Sequence, residues 1–266
     1  MSIDPRSCGP ARAWRGLLAA AVLASLSADP ASAGLPESIA AIKRSVVAVG
    51  TYMAVRTQQQ APRGTGFVVA ANLAVTNAHV LPPQLDASRR ETYALFLPAG
   101  PGRAEMREAR LVRRDEAHDL ALLRFGGTPL PAVRLGQSAE VREGEPIAFT
   151  GYPILNALGL FPATHRGIVS AIAPVVIPTA SGKELTPDVL KRLGKPFDIF
   201  QLDATAYPGN SGSPLFQVES GRVIGVINSV FVKSTKETAL TDPSGITYAI
   251  PVDHVRALLQ EAGDQR

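Results

Sequence analysis

The 266-residue chain is 45% hydrophobic and 19% charged, which excludes a disordered polyelectrolyte and permits one large domain or two small ones around a sizeable core. A formal net charge of +4, spread without a dense Lys/Arg run, gives no footing for a nucleic-acid partner. The single cysteine is Cys8, so thiolate metal sites and disulfides are excluded from the rest of the chain, and the four scattered histidines offer no ligand cluster.

The first 33 residues differ in character from the remainder of the chain. Arg6, Arg12 and Arg15 precede the apolar run Leu17–Leu26, which is too short to cross a bilayer comfortably as a helix. Ala31-Ser-Ala33 then has the small-x-small form of a processing site. Residues 1–33 read as a secretory signal peptide cut between Ala33 and Gly34. The mature chain is expected to be secreted or periplasmic, without a transmembrane segment and without the only thiol.

Past Gly34 a short helix is predicted over Leu35–Ile42, and then strand composition dominates. Strands are expected at 46–52, 66–69, 73–76, 93–97, 109–112, 120–125, 145–150, 167–172, 199–202, 214–216, 223–227 and 247–250. Gln58–Gly64 reads as a loop. A soft seam over Gly126–Glu143 separates two halves of similar size, and Pro174–Pro196 reads as a long surface loop rich in Pro and Gly. A second helix is predicted over about 252–262, where Val252, Val255, Leu258 and Leu259 share one face. Many short strands with turn-rich separators argue an all-β sandwich or barrel.

The strongest local signal is Pro208-Gly-Asn-Ser-Gly-Ser-Pro214. Glycines on both sides of Ser211 let the chain turn sharply and leave the hydroxyl uncovered. In such a turn the amides of Gly209 and Ser211 can converge on a developing oxyanion. The nucleophile elbow of α/β-hydrolases is excluded, because Ser213 stands where that motif needs glycine. A serine hydroxyl needs a base near neutral pH, and His79 at the end of Ala74–Val80 is the candidate. Asp119, just before the apolar run Leu120–Leu123, can hold the imidazole tautomer. Taken singly, each of these is also explained as an ordinary polar residue at a turn or strand end. The order His, Asp, Ser is that of the chymotrypsin fold, with the first two residues in one barrel and the serine in the other.

Six matches carry a family resemblance: Gly64-Thr-Gly-Phe-Val-Val69, Val75-Thr-Asn-Ala-His-Val80, His118-Asp-Leu-Ala-Leu-Leu123, Gly167-Ile-Val-Ser-Ala-Ile172, Gln201-Leu-Asp-Ala204 with Pro208–Leu215, and Val223–Asn228 with Tyr248-Ala-Ile-Pro251. With these the chain resembles the HtrA/Deg-like branch of trypsin-fold serine endopeptidases. The resemblance implies a double six-stranded β-barrel with a C-terminal helix, the first barrel over about 44–130 and the second over about 140–251. It implies cleavage of internal peptide bonds in protein processing or quality control, with His79 as base, Asp119 as its orienting partner and Ser211 as nucleophile. The oxyanion hole falls at Gly209, Asn210 and Ser211. Substrate-binding positions fall at Thr205, Ala206, Asn228, Ser229, Val230, Ile246 and Tyr248, with the peptide added as a strand beside 228–230. Thr205 carries no carboxylate, which argues against Lys/Arg at P1 and for small or medium apolar side chains. No metal or organic cofactor is needed, and the partners are protein or peptide substrates.

Two departures stand out. Ser213 replaces the branch's usual glycine, and the chain ends at Arg266 without room for a PDZ module, so monomer and trimer both stay open. A trypsin-fold protein that binds peptides without cutting them is the other reading. His118, His165 and His254 have no identifiable partners. His165 is expected on a turn over Ala163–Gly167, as a surface imidazole or, less simply, near the pocket.

Overall fold

The structure, a computed structural model, describes residues 34–100, 103–174, 197–228 and 245–263. The predicted signal peptide, residues 175–196 of the predicted long loop, Ser229 and Val230 lie outside the described residues. Helix α1 (Leu35–Lys43) starts with Pro in its first turn, where a missing N–H costs nothing, and buries Ile42. Six antiparallel strands come next: β1 (Val46–Tyr52), β2 (Gln60–Ala70), β3 (Leu73–Asn77), β4 (Thr92–Pro98), β5 (Ala104–Asp115) and β6 (Leu120–Phe125). They close into a barrel in the order β1-β2-β3-β6-β5-β4. The second barrel is built from β7 (Pro146–Gly151), β8 (Ala163–Pro174), β9 (Asp198–Asp203), β10 (Pro214–Gln217), β11 (Val223–Asn228) and β12 (Ile246–Pro251), in the order β10-β11-β12-β9-β8-β7. Helix α2 (Leu155–Leu158) sits between β7 and β8, and α3 (Val252–Gly263) ends the described chain.

The expected all-β double barrel with a C-terminal helix is the fold observed. Three elements are longer than their apolar runs. β2 begins at Gln60, so most of the predicted Gln58–Gly64 loop is strand: after an irregularity at Val49/Gly50 it continues along β1, with Pro62 opposite Gly50 and Gln60 opposite Tyr52. β5 extends from Ala104 to Asp115 with a largely polar outer face, which hides its ends from a hydrophobicity reading. β8 starts at Ala163, so the predicted Ala163–Gly167 turn is strand and His165 pairs with Phe149. The one-turn helix α2 carries no periodic signal that a sequence reading could detect.

Burial explains why several strands read as unbroken apolar runs. In β6, Ala121 and Leu123 pack inside the first barrel. Leu120 and Leu122 face the other way, into a cluster shared with Tyr152, Phe216, Val226 and Ile250 of the second barrel. All four β6 residues have no exposed surface. Strands buried on both faces lose the in/out alternation of a half-exposed sheet. The predicted α3 stripe joins the shared cluster through Val252, Val255 and Leu258, with Leu259 partly buried.

The same helix brings His254 against His118, and both histidines have partners that the sequence did not reveal. Their rings stack with centroids 3.9 Å apart. Phe197 meets both edge-on, at 4.7 and 4.9 Å. Asp115 Oδ2 lies 2.6 Å from His118 Nδ1. Burial, and then the charge of His118, hold His254 below its ordinary 6.5, while Asp115 and Asp253 pull the other way. The folded chain thus binds this proton less readily than the unfolded chain. The resulting stability is complete above about pH 6.5 and is lost as pH falls through the lowered folded value. The urea midpoint is expected to drop between pH 7.5 and pH 5, and to drop less in His254→Phe; equal drops in the two proteins would refute the assignment.

Candidate active site

The β3–β6 pairing creates one half of the site. Asn77, the last residue of β3, stands opposite Leu120, the first of β6, so the residues just beyond each strand end meet. His79 lies in the 3-10 turn Ala78–Val80, and Asp119 sits immediately before β6 with a left-handed φ of 50°. Aspartate tolerates that region better than most residues, and here local bonds hold it. Its carbonyl accepts from the Ala78 amide at 3.0 Å and from Asn77 Nδ2 at 3.1 Å.

The carboxylate collects three donors. Oδ1 accepts from the His79 amide at 2.8 Å, while Oδ2 accepts from His79 Nδ1 at 2.6 Å and from Asn228 Nδ2 at 2.7 Å. An ionised carboxylate can only accept, so the proton of neutral His79 resides on Nδ1 and Nε2 keeps its lone pair. The His79 side chain remains 29% exposed, open to a reacting group.

The other half is the loop Tyr207–Ser213. The Pro208 carbonyl accepts from Ile154, the N-cap of α2, at 2.7 Å. Among the described residues no peptide bond is cis, so the Gly209 N–H points away from that carbonyl. Gly209 has φ 100°, and a Cβ there would lie 2.2 Å from the Tyr152 carbonyl oxygen; only glycine fits. Thr65 of β2 braces the loop from the first barrel. Its amide donates to Ser211 O at 2.9 Å, its hydroxyl donates to Gly209 O at 2.7 Å, and Thr65 Oγ1 in turn accepts from the Tyr152 amide at 2.9 Å. Ser211 is 5% exposed. A Cβ placed on Gly64 would lie 2.7 Å from Val80 Cγ2 and 3.0 Å from Ser211 O, so the serine loop and the His79 turn converge on that one glycine.

The other predicted residues divide. Asn228 is fully buried and turns its amide onto Asp119, tying β11 of the second barrel to the His79 partner in the first. The sequence signal is a lone polar residue closing the apolar run Val223–Ile227, which does not say which way the amide points. Thr205 and Ala206 are half-buried. The Ala206 amide donates at 3.0 Å to Thr247, whose hydroxyl donates at 2.6 Å to Ala204 O. Thr247, inside the predicted Ile246–Tyr248 stretch, is therefore the β12 side chain facing this segment; Ile246 and Tyr248 alternate to the other face. Thr65 and Asn77 were missed as individual residues, although both lie in motifs that carry the resemblance. His165 is not a surface imidazole: it stacks on Phe149 at 4.9 Å, and its Nε2 lies 3.5 Å from Asn210 Nδ2. Among the described residues no three His, Cys, Asp or Glu side chains converge as a metal site requires.

A sequence profile of the trypsin-like peptidase domain matches residues 64–226, a span that takes in His79, Asp119 and Ser211. The chain belongs to the trypsin-like peptidase family. Within that family its similarity lies with the HtrA/Deg-like branch. A "probable periplasmic serine endoprotease DegP-like" of Ectopseudomonas mendocina is 32% identical over 199 residues, 74% of this chain and 34% of the relative. "Serine protease HTRA2, mitochondrial" of Drosophila persimilis is 32% identical over 212 residues, 77% of this chain and 40% of the relative. The chain thus spans about a third of the length of the first of these curated relatives. Among solved structures, a variant of the HtrA-type protease AlgW with a tripeptide matches with TM-score 0.60 and 25% identity over 86% of this chain and 63% of that one. AlgW with a decapeptide matches with TM-score 0.62 and 23% identity over 87% and 68%, a likeness of fold.

Proposed function

We propose that this protein is a serine endopeptidase that cuts internal peptide bonds through an acyl-enzyme intermediate. The reading rests on one observation: Asp119 holds His79 by its ring Nδ1 at 2.6 Å and by its main-chain amide at 2.8 Å, in a turn that meets the Ser211 loop at Gly64. His79 takes the Ser211 proton as the hydroxyl attacks the scissile carbonyl. The amides of Gly209 and Ser211, with Asn210 between them, receive the oxyanion. Protonated His79 then gives its proton to the leaving amine, and water repeats the sequence to release the acyl group. Thr205, Ala206, Asn228, Ser229, Val230, Ile246 and Tyr248 flank the substrate strand. The leader is cut after Ala33, and the mature protein acts in an extracytoplasmic space, the periplasm by analogy with the DegP-like relative, in protein processing or quality control. Its two halves follow the barrels, about 44–130 and 140–251.

A fluorophosphonate probe is expected to label the chain on Ser211, located by mass spectrometry of the labelled peptide. Label on another residue, or none on a chain that cleaves casein, would defeat the assignment. Gly209→Ala is expected to lower kcat about 100-fold or more, because the added methyl meets the Tyr152 carbonyl and turns an oxyanion donor aside. Steady-state kinetics on a peptide substrate read this directly, and an unchanged kcat would remove Gly209 from the oxyanion hole.

A further inference from the structure

We propose that His165 is a positioning residue for the serine loop, acting through the side-chain amide of Asn210 to hold the peptide units of Gly209 and Ser211. The proposal rests on the endopeptidase reading above. Asn210 is the knot of that loop: its amide donates to Tyr207 O at 2.9 Å, and its carbonyl accepts from Ser213 at 3.0 Å. Its side chain is fully buried, and Oδ1 has no hydrogen-bond partner among the described residues. The contact of Nδ2 with His165 Nε2, at 3.5 Å, is therefore what orients the amide.

The imidazole is itself fixed. His165 stands opposite Phe149 in the β7–β8 pairing, and the rings stack at 4.9 Å with an 18° angle between planes. The Tyr207 ring lies 5.8 Å away, in the loop being held. Burial lowers His165 below its ordinary 6.5, so the ring is neutral near neutral pH. An Asn NH2 group can only donate, so Nε2 accepts and the imidazole proton sits on Nδ1. At 3.5 Å the bond is long; it biases the loop and does not clamp it. An alkyl group at 165 would leave the buried amide of Asn210 without this partner, next to both oxyanion donors.

The test compares His165→Leu with His165→Gln, whose amide oxygen can replace Nε2 as acceptor. In peptide hydrolysis His165→Leu is expected to lower kcat about tenfold with KM nearly unchanged, and His165→Gln to restore most of that loss. A wild-type kcat in His165→Leu, or equal losses in both variants, overturns the proposal. If the wild-type chain cuts nothing, the endopeptidase reading fails on its own account, and hydrogen exchange then decides the loop assignment. Amides 208–212 are expected to exchange faster in His165→Leu than in wild type or His165→Gln; equal exchange in all three overturns it.

Discussion

Ser211→Ala is expected to reduce kcat on a peptide or casein substrate by about 10⁶-fold while leaving the fold in place. The size follows from the proposed role: without the hydroxyl there would be no acyl-enzyme route, and the remaining residues would only bind the substrate and polarise its carbonyl. The fold is expected to survive because the bonds that brace this loop from Thr65 run to the main-chain oxygens of Ser211 and Gly209, which alanine at 211 keeps. The measurement is single-turnover hydrolysis at matched concentrations, with urea midpoints recorded in parallel. Equal cleavage by both proteins would assign the activity to another residue or to a contaminant. A large loss accompanied by unfolding would leave Ser211 as a structural residue.

Asp119→Asn is expected to cost about 10⁴-fold in kcat with little change in KM. In the native chain both carboxylate oxygens accept, one from the His79 amide, the other from His79 Nδ1 and Asn228 Nδ2. A carboxamide cannot serve all three donors. If its NH2 replaces Oδ2, it faces Nδ1 and the Asn228 amide; if it replaces Oδ1, it faces the His79 main-chain N–H. In the first orientation His79 adopts the other tautomer, with the proton on Nε2, and can no longer accept one from serine. In the second the turn that carries the ring is itself pushed out of place. Either outcome acts on the chemical step, so a loss confined to KM, or a loss below about tenfold, would mean that Asp119 does not orient the base.

The double barrel was legible because its signals are local and repeated: short β-branched runs, turns at regular spacing, and three polar residues in a diagnostic order. What sequence could not show was the ends of elements whose outer faces are polar. β5 and the start of β2 are held by pairing with neighbours, not by their own hydrophobicity. Partners far apart in the chain were equally hidden. His118 and His254 look solitary in the sequence because the helix that stacks them arrives at the opposite end of it. Asn228 falls with the substrate positions because its strand borders the cleft by family layout, whereas the direction of its amide depends on a carboxylate supplied by the other barrel. His165 looks like a turn residue because Gly167 marks a break in composition, yet β8 runs straight through that glycine.

The bonds from Thr65 to the serine loop and from Asn228 to Asp119 cross between the two barrels in opposite directions. During synthesis His79 and Asp119 leave the ribosome early, the serine loop much later, and Asn228 after that. On the proposed reading, a growing chain therefore carries the base without its nucleophile, then the nucleophile without the last anchor of the base's partner. A product of translation that ends before Asn228 would lack the bond that ties β11 to Asp119.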